Sequence, residues 1–399
     1  MNQHHPRLWT KDFISISLSN FFLFMTFYFL LVSLPVLVIQ QFDSSKTEAG
    51  LITTVFLISA ILIRPIAGYG IEKIGIRKIL ISSLIIFLIA SIIYFFAKTL
   101  TILFMVRFLH GIGFGMATTA AGGLVANIIP DSRRGEGMGY FIMSSNLAMV
   151  MGPFIGLTAI QMWDSSILFT ISAVCALFSL IAGLIIRIPE KEQKKNIHIS
   201  FQLQNFFETS AIPISVVGAF FAIVYSSVLS FVSVYAKEIG LIEVSSLFFV
   251  VYAAILLASR PFTGKWFDQY GPNVIIFPSI VLFAVGLFIL GSTHSALGFL
   301  LSAAFIGIGW GTIFPSLQTI AIQKAAPNKR ATATATFLSI FDTGIGFGSF
   351  IVGMVVAGVG FRSFYINGSI YVLVGIMVYY LLHSRKEPQK ETLVEKHVR

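Results

Sequence analysis

Two stretches of this chain repeat each other at a fixed distance. The stretch 64–78 begins with Arg-Pro and then carries a glycine, an acid and a second glycine, and the stretch 260–271 carries the same residue types in the same order. Arg64 and Arg260 stand 196 positions apart, and the same offset relates Glu72 to Asp268. Since this offset is close to half of the 399 residues, the sequence predicts a duplicated chain whose halves share one topology.

Long apolar runs fill both halves. Hydrophobic residues make up 56% of the chain, charged residues only 11%, and the mean hydropathy is +0.88, whereas a soluble domain has about 25% charged residues. The sequence therefore predicts a polytopic membrane protein. Its formal net charge of +10 is spread over short loops, without a basic cluster interleaved with stacking aromatics, so nucleic-acid binding is not expected.

Runs long enough to cross a bilayer, about 20 residues each, predict twelve helices in two sets of six. We expect an all-α membrane protein with an N-terminal six-helix half at 1–188 and a C-terminal half at 211–382. A cytoplasmic linker at 189–210 and a cytoplasmic tail at 383–399 complete the chain. The linker either lies on the membrane surface or only tethers the halves. The predicted helices are 13–39, 49–70, 79–97, 102–129, 137–161, 166–188, 211–235, 244–266, 274–292, 295–323, 331–357 and 361–382.

The loop charges predict the orientation of the chain in the membrane. Lys and Arg are abundant in the loops on the side of the N-terminus, whereas the loops on the other side hold Lys46, Lys98, Lys237 and Arg362. Because cytoplasmic loops carry the excess of positive charge, both termini are expected in the cytoplasm.

Three motifs resemble a known family. The stretch 68–78, with Gly68, Glu72, Gly75, Arg77 and Lys78, resembles the loop motif of the major facilitator superfamily, which usually has Asp where this chain has Glu72. The stretch 107–111 resembles the family's Arg-x-x-x-Gly motif, and the stretch 152–156 resembles the Gly-Pro-x-x-Gly stretch of its antiporter branch. The resemblance implies the twelve-helix fold of that family. It is nearest to the drug/proton antiporters and related exporters of the bacterial cytoplasmic membrane.

The repeated stretch predicts a pair of contacts between the halves. Glu72 stands at a helix end, where it can accept hydrogen bonds from Arg or from the free amides of a helix N-terminus. The resemblance places its partner at the start of the eleventh helix, where Arg330 lies, and the offset of 196 then places Asp268 at the start of the fifth, where Arg134 lies.

We expect these contacts to close the cytoplasmic side and to break when it opens. The alternative role of Arg77 and Lys78 is simple anchoring at the membrane surface. The group is called the latch below and comprises Arg64, Gly68, Glu72, Gly75, Arg77, Lys78, Arg134, Arg260, Gly264, Asp268, Gly271 and Arg330.

One acid lies deep in an apolar run. Asp342 is about 11 residues into the eleventh predicted helix, which puts it near mid-bilayer, and its counterpart in the other half is Asn146. Since ionisable groups inside a membrane are costly and usually functional, we predict that Asp342 binds and releases a coupling proton; a static ion pair is the alternative. Arg107 and His110 share a face of the fourth helix and are further candidates for proton coupling, with packing as the alternative for His110.

The resemblance implies a substrate cavity walled by the first, fourth, seventh and tenth helices. Trp310, Phe314 and Gln318 follow one helical stripe there, although a chain with 40 Phe residues offers ordinary packing as an equal alternative. The full candidate set is Asn20, Phe24, Tyr28, Arg107, Phe114, Thr118, Asn146, Tyr225, Ser226, Trp310, Phe314 and Gln318.

Glycines and one proline predict local helix geometry. Gly152, Pro153 and Gly156 predict a kink in the fifth helix, because proline removes a backbone donor. The glycines at 111, 113 and 115 recur at 307, 309 and 311, and we expect them to allow close helix packing rather than phosphate binding.

The chain shows no catalytic grouping, metal-ligand spacing or ATP-binding loop, so we expect no enzyme, no cofactor and no metal. The energy for transport must come from an ion gradient or from the gradient of the substrate. The prediction is a monomeric, proton-coupled exporter that works by alternating access. Its substrate would be amphiphilic drugs or, if Arg107 stands beside Asp342, a small zwitterion such as an opine-like metallophore. The rivals are a proton-symport nutrient importer and a non-transporting membrane sensor or scaffold.

Overall fold

The computed structural model describes residues 7–42, 46–162, 165–187 and 206–386, and these residues form a bundle of α-helices joined by short turns. Most of the predicted linker and the tail beyond residue 386 lie outside the described residues. The helices are α1 Lys11–Phe42, α2 Lys46–Ile74, α3 Ile76–Ile93, α4 Leu100–Ile128, α5 Arg134–Met162, α6 Ser165–Ile185, α7 Ile212–Glu238, α8 Ser245–Tyr270, α9 Pro272–Ser292, α10 Ala296–Lys324 and a last segment, Arg330–Leu382.

The last segment consists of two helices. A continuous helix of its 53 residues would be about 80 Å long, more than twice the roughly 30 Å of the hydrocarbon core. The chain leaves helical geometry at Gly360, where φ is 76° and ψ is 159°. We therefore divide it into α11 (330–359) and α12 (361–382), which gives the described chain the twelve helices that the sequence predicts.

The repeated stretch is mostly helix, and α2 and α8 extend beyond the predicted helix ends at residues 70 and 266. Helix α2 continues to Ile74, and the turn is confined to Gly75, whose φ is 106°. In the second copy the turn is at Gly271, with a φ of 86°. A positive φ strains any residue with a Cβ, so glycine is required at both positions. The helices extend beyond the apolar runs because the backbone hydrogen bonds of a helix continue where the side chains become polar.

The halves share contacts as well as sequence. A Cβ added at Gly111 would lie 2.3 Å from the carbonyl oxygen of Phe56, and a Cβ at Gly307 would lie 2.7 Å from that of Tyr252, which stands 196 positions after Phe56. The other glycines of both series also pack closely on neighbouring helices, Gly113 on Phe87 and Gly309 on Phe283. The expectation of close helix packing is confirmed, and the duplication holds at the level of single contacts.

The two halves meet mainly through α2 with α11 and α5 with α8. The turns that follow α2, α4, α8 and α10 lie together at one end of the bundle, since residues from these turns contact one another across the halves. These turns and the adjacent helix ends hold many of the basic residues, so we call this end of the bundle the basic end.

Candidate functional site

An ion pair joins the two halves near the middle of the bundle. Arg64 of α2 donates from Nη2 to Oδ2 of Asp342 in α11 at 2.8 Å, and from Nε to the same oxygen at 3.1 Å. Its Nη1 donates to Thr118 Oγ1 of α4 at 2.7 Å. The Arg64 side chain is 4% exposed and that of Asp342 is 23% exposed. All three guanidinium nitrogens are bonded, so Arg64 is held in one position between three helices.

The pairing of Arg64 with Asp342 was not predicted from the sequence, where Arg107 beside this acid was only a condition for a zwitterionic substrate. The sequence could nevertheless have indicated this pair. Glu72 was already placed at the start of α11, and α2 runs antiparallel to α11. Arg64 lies 8 residues before Glu72, and Asp342 lies 10 residues after Thr332. These separations correspond to about 12 and 15 Å of helix, so a contact between Glu72 and the α11 start implies that Arg64 and Asp342 are at similar depth.

Glu72 binds the start of α11, although not through Arg330. Lys329 Nζ donates to Glu72 Oε2 at 2.8 Å, and Thr332 Oγ1 donates to the other carboxylate oxygen. The contact lies at the predicted start of α11 and is made through Lys329 and Thr332, one residue before and two residues after Arg330. Arg330 instead donates to the carbonyl oxygen of Ala126 at 3.2 Å. A single sequence located the helix start but not the face of the turn that meets Glu72.

Asp268 binds the start of α5 through the backbone. Its Oδ1 accepts from the amide of Gly135 at 2.7 Å, and its Oδ2 accepts from the amide of Glu136 at 3.0 Å. These amides belong to the first turn of α5 and have no partner within the helix. A carboxylate at this place also benefits from the positive end of the helix dipole.

One acid that the sequence reading did not select joins both helix starts. Asp131 Oδ1 accepts from Nη2 of Arg134 and, at 3.3 Å, from Nη2 of Arg330. Arg134 and Arg330 are themselves separated by the repeat offset of 196, whereas the residue that matches Asp131 in the second half is Pro327. A single carboxylate therefore bridges two equivalent arginines from different halves.

The latch glycines let the helices approach closely. A Cβ at Gly68 would lie 2.9 Å from the Cβ of Ala335, and a Cβ at Gly264 would lie 2.7 Å from the Cα of Glu136. Arg77 is half-buried and Lys78 exposed, and no hydrogen bond or ion pair joins either of them to a described residue. The geometry of these two residues therefore matches the anchoring alternative.

Aromatic side chains of the second half pack together beside the ion pair. Trp310 stacks on Tyr225 with ring centroids 3.9 Å apart, and the hydroxyls of Tyr225 and Tyr252 are 2.9 Å apart. Phe314 packs against Phe341, the neighbour of Asp342, with centroids 4.6 Å apart. Tyr252 and Phe341 lie on helices outside the four chosen from the resemblance, which is why they were not selected.

The first half contributes a matching aromatic group. Phe24 contacts both other rings, with its ring centroid 6.1 Å from that of Tyr28 and 5.1 Å from that of Phe114. Tyr28 also packs against the hydrophobic core of the second half. Asn20, deeper in this half, donates to Ser144 Oγ at 2.9 Å.

Arg107 and His110 lie inside the first half, away from Asp342. Arg107 is 0% exposed, with its guanidinium 4.4 Å from the centroid of the Phe56 ring. His110 is bonded to Tyr94 Oη at 3.1 Å and to Ser91 Oγ at 3.3 Å. Arg107 therefore does not stand beside Asp342, and its fully buried side chain faces Phe56 of α2. Its roles in proton coupling and in the cavity wall stay predictions. The i, i+3 spacing put Arg107 and His110 on one face correctly, but it could not show that this face turns toward α2 and α3.

Three other predicted site residues occupy helix contacts. Ser226 is buried against Gly348 of α11 and donates to the carbonyl oxygen of Ile223 at 2.6 Å, so it is not part of the cavity wall as expected. Gln318 is buried near Gly122 of α4. Asn146 is half-buried and makes no hydrogen bond to a described residue.

The Gly-Pro stretch of α5 forms a packing surface for α1. A Cβ at Gly152 would lie 2.7 Å from the Cβ of Tyr28, and one at Gly156 would lie 2.8 Å from the carbonyl oxygen of Phe29. Helix α5 continues through Pro153 to Met162. The two glycines therefore allow the backbones of α1 and α5 to meet within the first half.

Comparison with known proteins agrees with this architecture. The staphylopine export protein of Staphylococcus aureus is 24% identical, with 88% of this chain and 90% of that protein covered. Multidrug resistance protein 1 of Bacillus subtilis is also 24% identical, with 86% and 89% covered. A probable sugar efflux transporter of Haemophilus influenzae is 24% identical, with 91% and 90% covered.

Solved structures show the same fold. The human organic anion transporter MFSD10 superposes with a TM-score of 0.79 at 14% identity, covering 94% of this chain and all of that one. The transporter FucP in its outward conformation gives a TM-score of 0.73 at 14% identity, covering 96% of this chain. A family model described as Major Facilitator Superfamily matches residues 16–348 and 244–398, which together span most of the sequence. This chain, a multi-pass membrane transporter, belongs to the Major Facilitator Superfamily.

Proposed function

We propose that this protein is a proton-coupled exporter of small molecules in the bacterial cytoplasmic membrane, working by alternating access. The observation that carries the proposal is the Arg64–Asp342 ion pair, which joins the halves in the middle of the bundle. An ion pair across the moving interface is a direct means by which one proton can change the balance between two conformations.

Protonation of Asp342 would remove the negative charge that holds Arg64. The guanidinium cannot lose its own proton, so it would remain as a buried cation bonded only to Thr118. Burying an unpaired charge is costly, and the state in which Arg64 gains water or a substrate anion becomes more favourable. A proton thereby shifts the population of the two states by its different affinity for each.

The latch supplies the second part of the cycle. Positive charge in cytoplasmic loops assigns the basic end to the cytoplasm, with both termini on the same side. With this orientation, the contacts of Glu72, Asp268 and Asp131 at the basic end would close the cytoplasmic side. Opening that side requires all three carboxylates to exchange their partners for water.

The side chains beside the ion pair suit a molecule with an aromatic or apolar body and a charged group. Tyr28, Tyr225, Trp310 and Phe341 supply the apolar contacts, and Arg64 and Asp342 supply both charges. The relatives named for staphylopine export, multidrug resistance and sugar efflux support export as the direction. Amphiphilic drugs and small zwitterionic metabolites, including opine-like metallophores, are the candidate substrates.

The test is proton release from inside-out vesicles, followed with a pH-sensitive dye, as a panel of amphiphilic cations and amino-acid-derived carboxylates is added. We expect substrate-dependent proton movement with the wild type and none with Asp342→Asn, while exchange of labelled substrate across the membrane persists. His110→Gln is the matched comparison and should keep its proton movement, because its hydrogen bonds stay within the first half.

Three outcomes would decide against the proposal. Accumulation in right-side-out vesicles driven by inward protons would establish a symport importer. Unchanged pH dependence in Asp342→Asn would remove the coupling role of the ion pair. If no compound moves at all, the sensor or scaffold alternative is favoured.

A further inference from the structure

The second half contains a buried arginine that corresponds to Arg64 but has no acid partner. Arg260 occupies the equivalent position in α8, 196 residues after Arg64, and is 4% exposed. Its Nε and Nη2 are buried without a hydrogen-bond partner among the described residues. Arg64, by contrast, uses Nε, Nη1 and Nη2 in hydrogen bonds. The duplication therefore produced two buried guanidinium groups, one paired and one unpaired.

The first half lacks an acid at the position equivalent to the one that pairs with Arg64. The position that corresponds to Asp342 is Asn146, which carries no charge. The acids near Arg260 bind other groups: Asp268 accepts from the two backbone amides of α5, and Glu136 accepts from Arg133 Nε at 2.8 Å. Tyr252, a titratable residue on the same helix as Arg260, has its hydroxyl oxygen 2.9 Å from that of Tyr225. The Arg260 charge is thus not neutralised by a described carboxylate.

Arg260 borders a small cavity between α5, α8 and α10, whose walls include the apolar Phe267 and Pro315 as well as hydroxyl groups. The cavity is lined by the side chains of Thr263, Thr312 and Ser316 and by the backbone at Gly135. Thr312 Oγ1 is also buried without a hydrogen-bond partner among the described residues. On the α5 side, Gly139 packs against the Arg260 side chain, since a Cβ there would lie 3.7 Å from Nη1, at ordinary van der Waals distance, and this glycine offers the guanidinium no side-chain acceptor. A buried cation and a buried hydroxyl therefore border one space.

We propose that Arg260, assisted by the hydroxyl of Thr312, binds a carboxylate group of the transported molecule. This rests on the proposed function and narrows its substrate class to small molecules that carry a carboxylate. The planar guanidinium fork matches a carboxylate with two parallel hydrogen bonds. A substrate carboxylate supplies to Arg260 the charge that Asp342 supplies to Arg64.

The position of the cavity indicates when the carboxylate binds. Gly135, Gly264 and Phe267, which border the cavity, belong to the α5–α8 contact that Asp268 holds closed. Separation of α5 from α8 would open the cavity toward the basic end. The carboxylate therefore reaches Arg260 from that end while the latch is open.

The test uses the purified full-length protein in lipid nanodiscs and measures binding without any ion gradient. The probes are a panel of aromatic and amino-acid-derived carboxylates, each beside its own neutral primary amide, with thermal stabilisation and tryptophan quenching as readouts. We expect at least one carboxylate to bind about tenfold more tightly than its amide, as a charge-assisted hydrogen bond implies. Arg260→Gln should abolish this difference, and Arg260→Lys should restore part of it.

Controls separate a binding role from a folding role. Thr312→Val keeps the charge and should weaken carboxylate binding while leaving amide binding unchanged. Arg362→Gln is the matched control, because Arg362 donates to the Thr293 carbonyl at the end of the bundle opposite the latch. This variant should keep the preference for carboxylate over amide. Should Arg260→Gln fail to fold, judged by its melting without ligand, the Lys and Val variants still decide the question.

Three results would overturn the inference: no carboxylate preferred over its amide by the wild type, a preference that survives in Arg260→Gln, or Arg260-dependent stabilisation by chloride alone. Because binding is measured at equilibrium, these results are independent of proton coupling. A carboxylate preference without proton movement would contradict the proposed function and leave this inference standing.

Discussion

Arg134 and Arg330 stand 196 positions apart in the chain, yet their guanidinium groups donate to the same carboxylate oxygen of Asp131. The two arginines begin α5 and α11, the helices that receive Asp268 and Glu72. Asp131 has no counterpart in the second half, where Pro327 takes its place. The two halves therefore contribute equivalent arginines to the closed basic end, whereas the acid that joins these arginines comes from the first half only.

Asp131→Asn should weaken this closure only slightly. The Asp131 side chain is 79% exposed, whereas that of Arg134 is 4% exposed. Because Asn still offers an oxygen acceptor to both arginines, the loss should stay near the value for exposed ion pairs, about 0–1 kcal/mol. We expect a small shift toward the open state that disappears at high salt, because salt screens exposed charges. Spin labels at positions 74 and 270, which are equivalent and exposed at the ends of α2 and α8, would report the distance in a Cys175→Ser background. A large, salt-insensitive shift would mean that Asp131 dominates the closure.

Asp268→Ala should open the basic end more than Glu72→Ala does. Removing Asp268 leaves two helix-start amides without their acceptor, and an unsatisfied buried donor costs about 1–3 kcal/mol. Removing Glu72 frees Lys329, whose side chain is 33% exposed and can be solvated, and the buried hydroxyl of Thr332, which can turn to a backbone carbonyl one helical turn earlier. The same pair of spin labels measures both variants. Equal effects would contradict the importance of the backbone contact, and no effect in either would contradict the latch itself.

Gly264→Ala should prevent full closure. The added Cβ would lie 2.7 Å from the Cα and 3.1 Å from the backbone nitrogen of Glu136, so α5 and α8 must separate. Gly346→Ala is the matched control, because a Cβ there meets nothing within 4 Å. We expect longer distances between the labels and slower transport in Gly264→Ala, and wild-type behaviour in the control. A Gly264→Ala protein that closes normally would show that this contact does not limit the closed state.

The features that depend on the apolar runs and on the internal repeat could be predicted from the sequence. Twelve helices follow from the apolar runs, and the places where Glu72 and Asp268 meet the other half follow from one resemblance and one constant offset. These features are properties of single helices or of the duplication, so they require no knowledge of helix rotation.

What depends on helix rotation was not predicted. Arg107 was placed in the cavity because it is a charge in a membrane helix, but its face of α4 turns toward Phe56 of α2. Arg64 was assigned to the latch because it begins the repeated motif, whereas its side chain points away from the basic end toward Asp342. A rotation of about 100° per residue separates neighbouring faces, and apolar residues on every face of a membrane helix leave no amphipathic pattern to fix it.

The Arg64–Asp342 pair predicts a non-additive pair of substitutions. Arg64→Gln leaves the Asp342 carboxylate without its cation, and Asp342→Asn leaves the Arg64 cation without its anion, so each single variant should destabilise the closed state. The double variant removes both charges and should recover part of that loss, since neither charge remains unpaired. Contacting residues of this kind show interaction energies of about 0.5–3 kcal/mol in a double-mutant cycle. The open fraction is measured with labels at 74 and 270 in the wild type, both single variants and the double variant. Each protein is measured at one pH above and one pH below the transition of transport activity. At the lower pH a protonated Asp342 already resembles Asn, so the coupling should shrink there; a coupling that is absent at both pH values would show that the pair contributes nothing to closing the bundle.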